Sequence, residues 1–498
     1  MHKMTKTNSR EKQVLTANDE LSWNLIGSML KDKNSLTRHQ IDSFNSFIHV
    51  DLPEIFKRYN PIMVATDYSK EKQQFMKSCE IRFGQVYVGK PVIQENYHYS
   101  DNNDSRVGYR PLYPKETRLR NLTYASPVYI DVDWSYTNLE KPSENISKKE
   151  KGLLFFRLPV MVGCDACYLS GDVDLQTDIY DDNFIIKGYF IVNGGEKVIV
   201  SQERHTDNKI TVYSKPPTSV AEIKSSIDQR FYPIKVSRVI LTREPKSHLD
   251  VTISGIKETV PFFLLMRALE MPNDFEIYSA ILEDLTDAPS NYLNILFESN
   301  NQAQTELKAA WDSVHTYPWH SQPFALYVIG KNYFKIKPET GDTVDDYLTI
   351  TRDYIHREIL QHVGQSLYHK ALFLCLMARR VLDAAHGLRP YDNRDHYSNK
   401  RLNTAGYLMS QLFKGEFIRL TKSLKQNLLQ FLRNSKDNNL SLIINKHIRS
   451  SNIESKFKYS LSTGNWSSNK ISTSSKGISQ VLQRISYLST LSHVRRIQ

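Results

Sequence analysis

The sequence predicts a multidomain α+β fold, and three observations carry that reading. At 498 residues the chain is too long for one compact core, so two or more domains are expected. Strand-like runs cluster between Ile81 and Ser201, whereas the region after Leu408 has helical periodicity. Hydrophobic residues make up 40% and charged residues 24%, the balance of a soluble globular protein. The longest purely apolar run, Ala371 to Ala378, falls far short of the ~20 residues a membrane helix needs, so no membrane partner is expected. Met1 to Arg10 is polar and basic with no apolar segment behind it, which predicts no secretory leader. Four cysteines (Cys79, Cys164, Cys167, Cys375) are too few for a disulfide framework and favour a reducing, intracellular compartment.

Residues 20–60 read as helical. Trp23, Ile26 and Leu30 share one face, Thr37 and Gln40 have capping-box spacing, and Ile41, Phe44 and Ile48 continue the period. From Ile81 to Ile93, aromatic and β-branched residues bounded by Gly and Pro predict strands. The polar stretch 97–109 reads as loop, residues 122–134 as another strand, and the charged insert Lys141 to Lys151 as an exposed linker. Two further strand candidates, Tyr189–Val192 and Lys197–Ser201, are joined by Asn193-Gly194-Gly195, which predicts a tight turn with positive φ.

Between about 205 and 390 the pattern is mixed. Strand-like pieces such as Ile210–Tyr213 and Val251–Ile253 give way to helical segments around 262–270, 278–285, 303–315 and 353–384. From Leu408, the residues Phe413, Phe417, Leu420, Leu424, Leu428 and Leu432 recur every three or four positions, as in one long amphipathic helix or a broken pair. The last 40 residues are rich in Ser, Asn, Gly and Lys, with a helical stretch expected near Ile478–Ile485. There is no internal repeat.

The net charge of +11 is unevenly placed. Asp395 to Gln498 holds 17 Lys and Arg against 4 Asp and Glu, a local charge of +13, while the preceding residues hold 48 basic and 50 acidic, a charge of −2. Charge alone fits a solvated basic face as well as a region that neutralises phosphates and releases their counterions.

Several motifs imitate chemistry. Cys164-Asp165-Ala166-Cys167 has redox or half-zinc spacing, but neither Cys79, Cys375 nor a nearby His pair completes a ligand set, so buried structural cysteines are the preferred reading. Asp131-Val132-Asp133 resembles a Mg²⁺-holding carboxylate pair, and strand alternation would point both side chains to one face; an ordinary acidic pair on a strand is preferred. Asp172, Asp174 and Asp178 suggest a calcium loop, which fails because Thr177 stands where Gly is needed and Asn183 where Glu is needed. No phosphate-binding GxxxxGK[ST] loop occurs. No self-contained active site emerges.

Five collinear runs carry a resemblance. They are Arg118-Leu119-Arg120-Asn121-Leu122-Thr123-Tyr124; Leu158-Pro159-Val160-Met161 with Cys167-Tyr168-Leu169-Ser170; and Lys187-Gly188-Tyr189-Phe190-Ile191-Val192-Asn193-Gly194 with Glu196-Lys197-Val198 and Ser201-Gln202-Glu203-Arg204. The fourth is Arg394-Asp395-His396-Tyr397 with Asn399-Lys400-Arg401-Leu402. The last is Thr463-Gly464-Asn465-Trp466, Gly477-Ile478-Ser479-Gln480-Val481-Leu482 and Leu491-Ser492-His493-Val494-Arg495-Arg496. In this order and spacing the chain, from about residue 20 onward, resembles the N-terminal part of the second-largest (beta-like) subunit of DNA-directed RNA polymerases of eukaryotes, archaea and large DNA viruses. The Asn- and Lys-rich filler between the runs has a viral rather than cellular character, which would put the chain in host cytoplasm, nucleus or virion.

The resemblance implies a protrusion over residues 1–203, a lobe inserted at 204–394, a return to the protrusion at 395–448 and the start of the fork at 449–498. It implies a nucleotidyltransferase complex in which this chain is not catalytic alone and binds no cofactor, with Mg²⁺ held mainly by the largest subunit. The implied partners are that largest subunit, a chain or segment carrying the C-terminal half of the second-largest subunit, smaller polymerase subunits, template DNA and the RNA–DNA hybrid. In such relatives the chain continues for several hundred residues past the position of Gln498. The fork assignment makes Gln480, Arg484, Lys470, Lys476, Arg495 and Arg496 candidates for nucleic-acid contact. Gln480 can donate and accept near a transcript, and the arginine forks match phosphate. Asp395 and His396 look like an acid–base pair, but the resemblance puts them at a polar domain junction. The alternative function is a stand-alone basic nucleic-acid-binding protein that reuses these domains.

Overall fold

The computed structural model describes residues 19–30, 35–69, 74–98, 105–139, 145–170, 186–227, 234–243, 246–271, 273–282, 290–311, 318, 321–334, 344–434, 451–466 and 476–498. The architecture is α+β. The chain forms two compact units, Met1–Glu203 with Leu402–Gln498, and Arg204–Arg401. Among the described residues no helix is long and apolar enough to cross a membrane.

The first unit opens with a helix over residues 19–30, whose Trp23, Leu25 and Leu30 stay exposed. The helix Arg38–Ser46 then runs on through a widened turn at Phe47–Asp51 into Leu52–Arg58. The expected capping box does not form, since the Thr37 side chain makes no cap hydrogen bond. Gln40 lies on the same face as Ile41 and Phe44 and is drawn into the core with them. There its amide donates toward Ile199 O (3.3 Å), Ser201 Oγ (3.2 Å) and Val494 O (3.3 Å) and accepts from Ala405 N (3.2 Å). A buried amide is tolerated only when its hydrogen bonds are met. Meeting them here ties together four segments far apart in sequence.

The main sheet is antiparallel, in the order β1 (Ile62–Ser69), β2 (Gln74–Val88), β5 (Ala125–Asn138), β6 (Ile146–Pro159). Between β2 and β5 a second ribbon pairs β3 (Val92–His98) with β4 (Ser105–Pro111). Two sequence expectations are corrected here. The loop read at 97–109 is strand at both described ends, with Tyr97 opposite Arg106 and His98 opposite Ser105. The linker read at Lys141–Lys151 becomes β6 from Ile146 onward. β6 is the edge of the sheet, where exposed lysines are compatible with pairing and discourage further strand addition. Its Lys149 sits opposite Asp133 and its Lys148 pairs with Glu150 at 2.7 Å. A small hairpin follows, β7 (Phe190–Val192) and β8 (Gly195–Ile199), turned by Asn193 (φ 50°) and Gly194 (φ 74°) as the Asn-Gly pair predicts. A Cβ on Gly194 would lie 2.8 Å from Asn121 Cα, so the first and third sequence runs meet at a backbone contact only glycine permits.

After the second unit the chain returns as one unbroken helix, Ala405–Asn434, rather than a broken pair. Its Phe413 and Phe417 insert among Phe56, Phe83 and Phe155, with Phe417 4.8 Å from Phe56 and 5.5 Å from Phe83 between ring centroids. This aromatic core joins the N-terminal helices, the sheet and the return helix.

The second unit carries a five-stranded antiparallel meander, in chain order Thr211–Lys215, Thr218–Ser225, Lys235–Thr242, His248–Ile253 and Val260–Pro261. Helices including Phe262–Ala268, Ser290–Trp311 and Leu367–Ala385 bury one continuous apolar core against it. The helical stretch read at 353–384 is in fact two helices. It breaks after Glu358, where Leu360 takes a left-handed φ of 43° and Gly364 a φ of 99°.

Candidate nucleic-acid interface

The C-terminal segment 476–498 is built on the hairpin of the first unit. Ser479–Val481 is a strand, not the helix expected near Ile478–Ile485, and it pairs with β8 so that Gln480 lies opposite Val198. Only three residues pair, too few to show an alternating pattern in the sequence. The helix comes later, Tyr487–Val494, capped by Ser486 Oγ accepting from Ser489 N.

His493, at the end of that helix, is buried and organises the site. Its Nδ1 accepts from Gln483 N at 3.2 Å, which assigns the proton to Nε2, donating to Gln480 Oε1 at 3.1 Å. Gln480 Nε2 in turn donates to Gly477 O at 3.1 Å. Burial, and then the Arg496 guanidinium, hold the His493 pKa below its ordinary 6.5. The neutral ring therefore contributes stability that is complete above pH ~6.5 and is lost as pH falls through the lower folded value. His39, His205, His356 and His362 are shifted the same way, burial being the first cause in each. The unfolding free energy of the wild-type chain is thus expected to fall between pH 7 and 5. It should fall less steeply in His493→Gln, which cannot take up the proton; parallel curves from denaturant titrations would contradict the assignment.

The six sequence-predicted contact residues differ in their surroundings. Arg484 grips Glu196 with two nitrogens (2.6 and 2.8 Å) and lies over the Tyr189 ring at 5.1 Å. Glu196 also takes Arg118 at 3.2 Å, so Arg484 belongs to a bridge between β8 and the first sequence run. Arg495 donates one nitrogen to Leu36 O at 2.6 Å. Lys476 and Arg496 are exposed, and among the described residues neither side chain forms an ion pair. Gln480 is half-buried and oriented by His493. Lys470 lies outside the described residues. Sequence reasoning missed His493 and Glu196 as the groups that orient Gln480 and Arg484; His493 stands in the same quoted run as Gln480, whereas Glu196 lies 288 residues before Arg484, where no local signal could pair them.

The other motifs separate. Cys164 and Cys167 are buried, burial pushes the Cys164 thiol up, and Cys167 Sγ lies 3.3 Å from Tyr124 Oη. Asp131 Oδ1 accepts from Gly152 N (2.8 Å), and Asp133 lies 3.8 Å from Lys149 Nζ, so these carboxylates serve the β5–β6 pairing and do not fit a Mg²⁺ site. Asp395 is near Lys400 (3.7 Å) and His396 Nδ1 near Ser398 Oγ (2.8 Å), two separate contacts rather than an acid–base pair. The calcium-like residues 172–183 lie outside the described residues. Among the described residues no group of three or more His, Cys, Asp or Glu stands together as a metal site.

Residues 35–455 match the family model described as RNA polymerase beta subunit. The DNA-directed RNA polymerase II subunit RPB2 of Encephalitozoon cuniculi is 32% identical over 96% of this chain and 39% of its own length. The corresponding subunit 2 of Arabidopsis thaliana is 30% identical over 96% of this chain and 39% of its own. The archaeal subunit Rpo2N of Methanothermobacter thermautotrophicus is 29% identical, covering 96% of this chain and 86% of its own length. The chain thus spans about two fifths of the eukaryotic relatives it matches and most of the archaeal one. By the extent of the match and the identity of these relatives, the chain belongs to the RNA polymerase beta subunit family, as the N-terminal part of the second-largest subunit.

Proposed function

We propose that the chain works inside a multisubunit DNA-directed RNA polymerase, where it lines one side of the DNA cleft and contacts the RNA–DNA hybrid. In this reading residues 1–203 and 395–448 are the protrusion, 204–394 the lobe and 449–498 the start of the fork. Its partners are the largest subunit, the chain or segment carrying the rest of the second-largest subunit, smaller subunits, template DNA and the hybrid. Mg²⁺ for phosphoryl transfer is held mainly by the largest subunit, and this chain positions nucleic acid rather than metal. The observation that supports the reading is the Ser479–Val481 strand on β8. It joins the third and fifth sequence runs into one braced element with Lys476 and Arg496 exposed beside it.

Phosphate neutralisation has a measurable signature, because each contact adds about 0.7 to the log–log salt slope of single-strand binding. The full chain should bind a fluorescent oligonucleotide without sequence preference, and the double variant Lys476→Gln/Arg496→Gln should lower its slope by about 1.4. Equal slopes in fluorescence anisotropy titrations would mean that these cations only face solvent.

A further inference from the structure

Within the Arg204–Arg401 unit lies a small, basic surface hollow. Its cations are Lys209, Lys224 on the Thr218–Ser225 strand, and Arg394. Lys209 Nζ is held by a neutral partner, Asn399 Oδ1, at 2.5 Å. Arg394 lies over the Tyr213 ring at 4.4 Å. Among the described residues none of these three cations forms an ion pair.

The one carboxylate on the rim, Glu222, is already committed to Arg238 Nε (2.8 Å) and Tyr213 Oη (3.1 Å). The hollow therefore keeps a positive excess. Its electrostatic effect reaches His205 on the same rim, whose pKa is lowered by burial and then by Lys224, Arg394 and Lys400. A second, independent observation is Thr206, also on the rim. Its Oγ1 is buried and, among the described residues, has no hydrogen-bond partner. A buried polar group left unmet is destabilising, and like charges gathered in a hollow repel one another. An anion accepting from the Thr206 hydroxyl would relieve both.

We propose that this hollow binds one phosphate group, held by Lys209, Lys224 and Arg394 with Thr206 donating its hydroxyl. Three cations and a hydroxyl donor approaching from different sides suit a tetrahedral phosphate, whose oxygens spread in three dimensions, better than a flat carboxylate, and the Arg394 fork matches phosphate geometry. The phosphate group comes either from a polynucleotide backbone or from a small free ion. The inference rests on the residues of this unit and is independent of the polymerase reading.

The test uses the full chain with two probes, sodium pyrophosphate by isothermal titration calorimetry and a fluorescein-labelled single strand by anisotropy. Saturable binding is expected for at least one probe. It should weaken about tenfold or more in Lys224→Gln and in Arg394→Gln, each removing one charge-assisted contact of about 1.5–3 kcal/mol. Thr206→Val should weaken it several-fold, and Lys257→Gln, an exposed charge outside the hollow, should leave it unchanged. Loss confined to pyrophosphate identifies a free-ion site, and loss confined to the oligonucleotide identifies a backbone contact. Absence of saturable binding to either probe overturns the proposal, as does wild-type affinity in Lys224→Gln and Thr206→Val.

Discussion

Gly406→Ala is expected to destabilise the first unit by about 3 kcal/mol, against the sign that helix propensity gives. In the first turn of an isolated helix, alanine would be favoured over glycine by up to ~1 kcal/mol. Here the helix Ala405–Asn434 crosses Arg38–Ser46 at this residue. Gly406 N donates to Ser43 Oγ at 3.0 Å, and Ser43 Oγ lies 2.5 Å from Thr404 Oγ1. A Cβ at Gly406 would overlap the Ser43 carbonyl and lie 2.8 Å from its Oγ. The obstacle is backbone inside a packed helix, so it cannot swing aside as a side-chain tip does. Overpacking of this kind costs about 1–3 kcal/mol and sometimes more, which outweighs the propensity gain. Urea unfolding should show the loss; equal or greater stability would mean the two helices do not approach as described.

Phe417→Ala should cost about 3–5 kcal/mol, the range for deleting a buried phenyl ring. Phe417 is fully buried and touches Tyr59, Phe83, Phe155 and Phe413 besides Phe56, so little can collapse into the gap. Edge-to-face geometry with Phe56 and Phe83 adds to the burial contribution. Phe417→Leu, which keeps most of the apolar volume, should cost clearly less. Because the cluster joins N-terminal, sheet and C-terminal segments, the loss should appear as one cooperative shift in the denaturation midpoint. A change below ~1 kcal/mol would contradict the packing.

The elements legible in the sequence are those with a strong local signal. Asn193-Gly194 requires positive φ and forms the turn as read, and the Phe413-to-Leu432 spacing continues over several turns and forms the single helix, the first of the two alternatives it allowed. β6 was hidden because an edge strand keeps its lysines in water and shows no apolar alternation where it begins. The Ser479–Val481 strand exists through pairing with β8, nearly three hundred residues earlier, which no local window contains. Gln40 has capping-box spacing to Thr37, yet its place on the Ile41–Phe44 face takes it into the core, where the distant Ala405 N–H occupies the amide oxygen that a local cap would use. In the candidate interface the residue types were legible but their partners were not. Arg484 bonds Glu196 and Gln480 bonds His493 through tertiary approach alone.

Membership of a multisubunit polymerase is decided by purifying the tagged chain from the cells that naturally make it. Stoichiometric recovery of a largest polymerase subunit and of the remaining second-largest-subunit sequence is expected, with template-dependent RNA synthesis by the complex. The chain purified alone should incorporate no nucleotide. The contradicting results are recovery of the chain without these partners, or nucleotide incorporation by the isolated chain that is abolished by Asp131→Asn or Asp133→Asn.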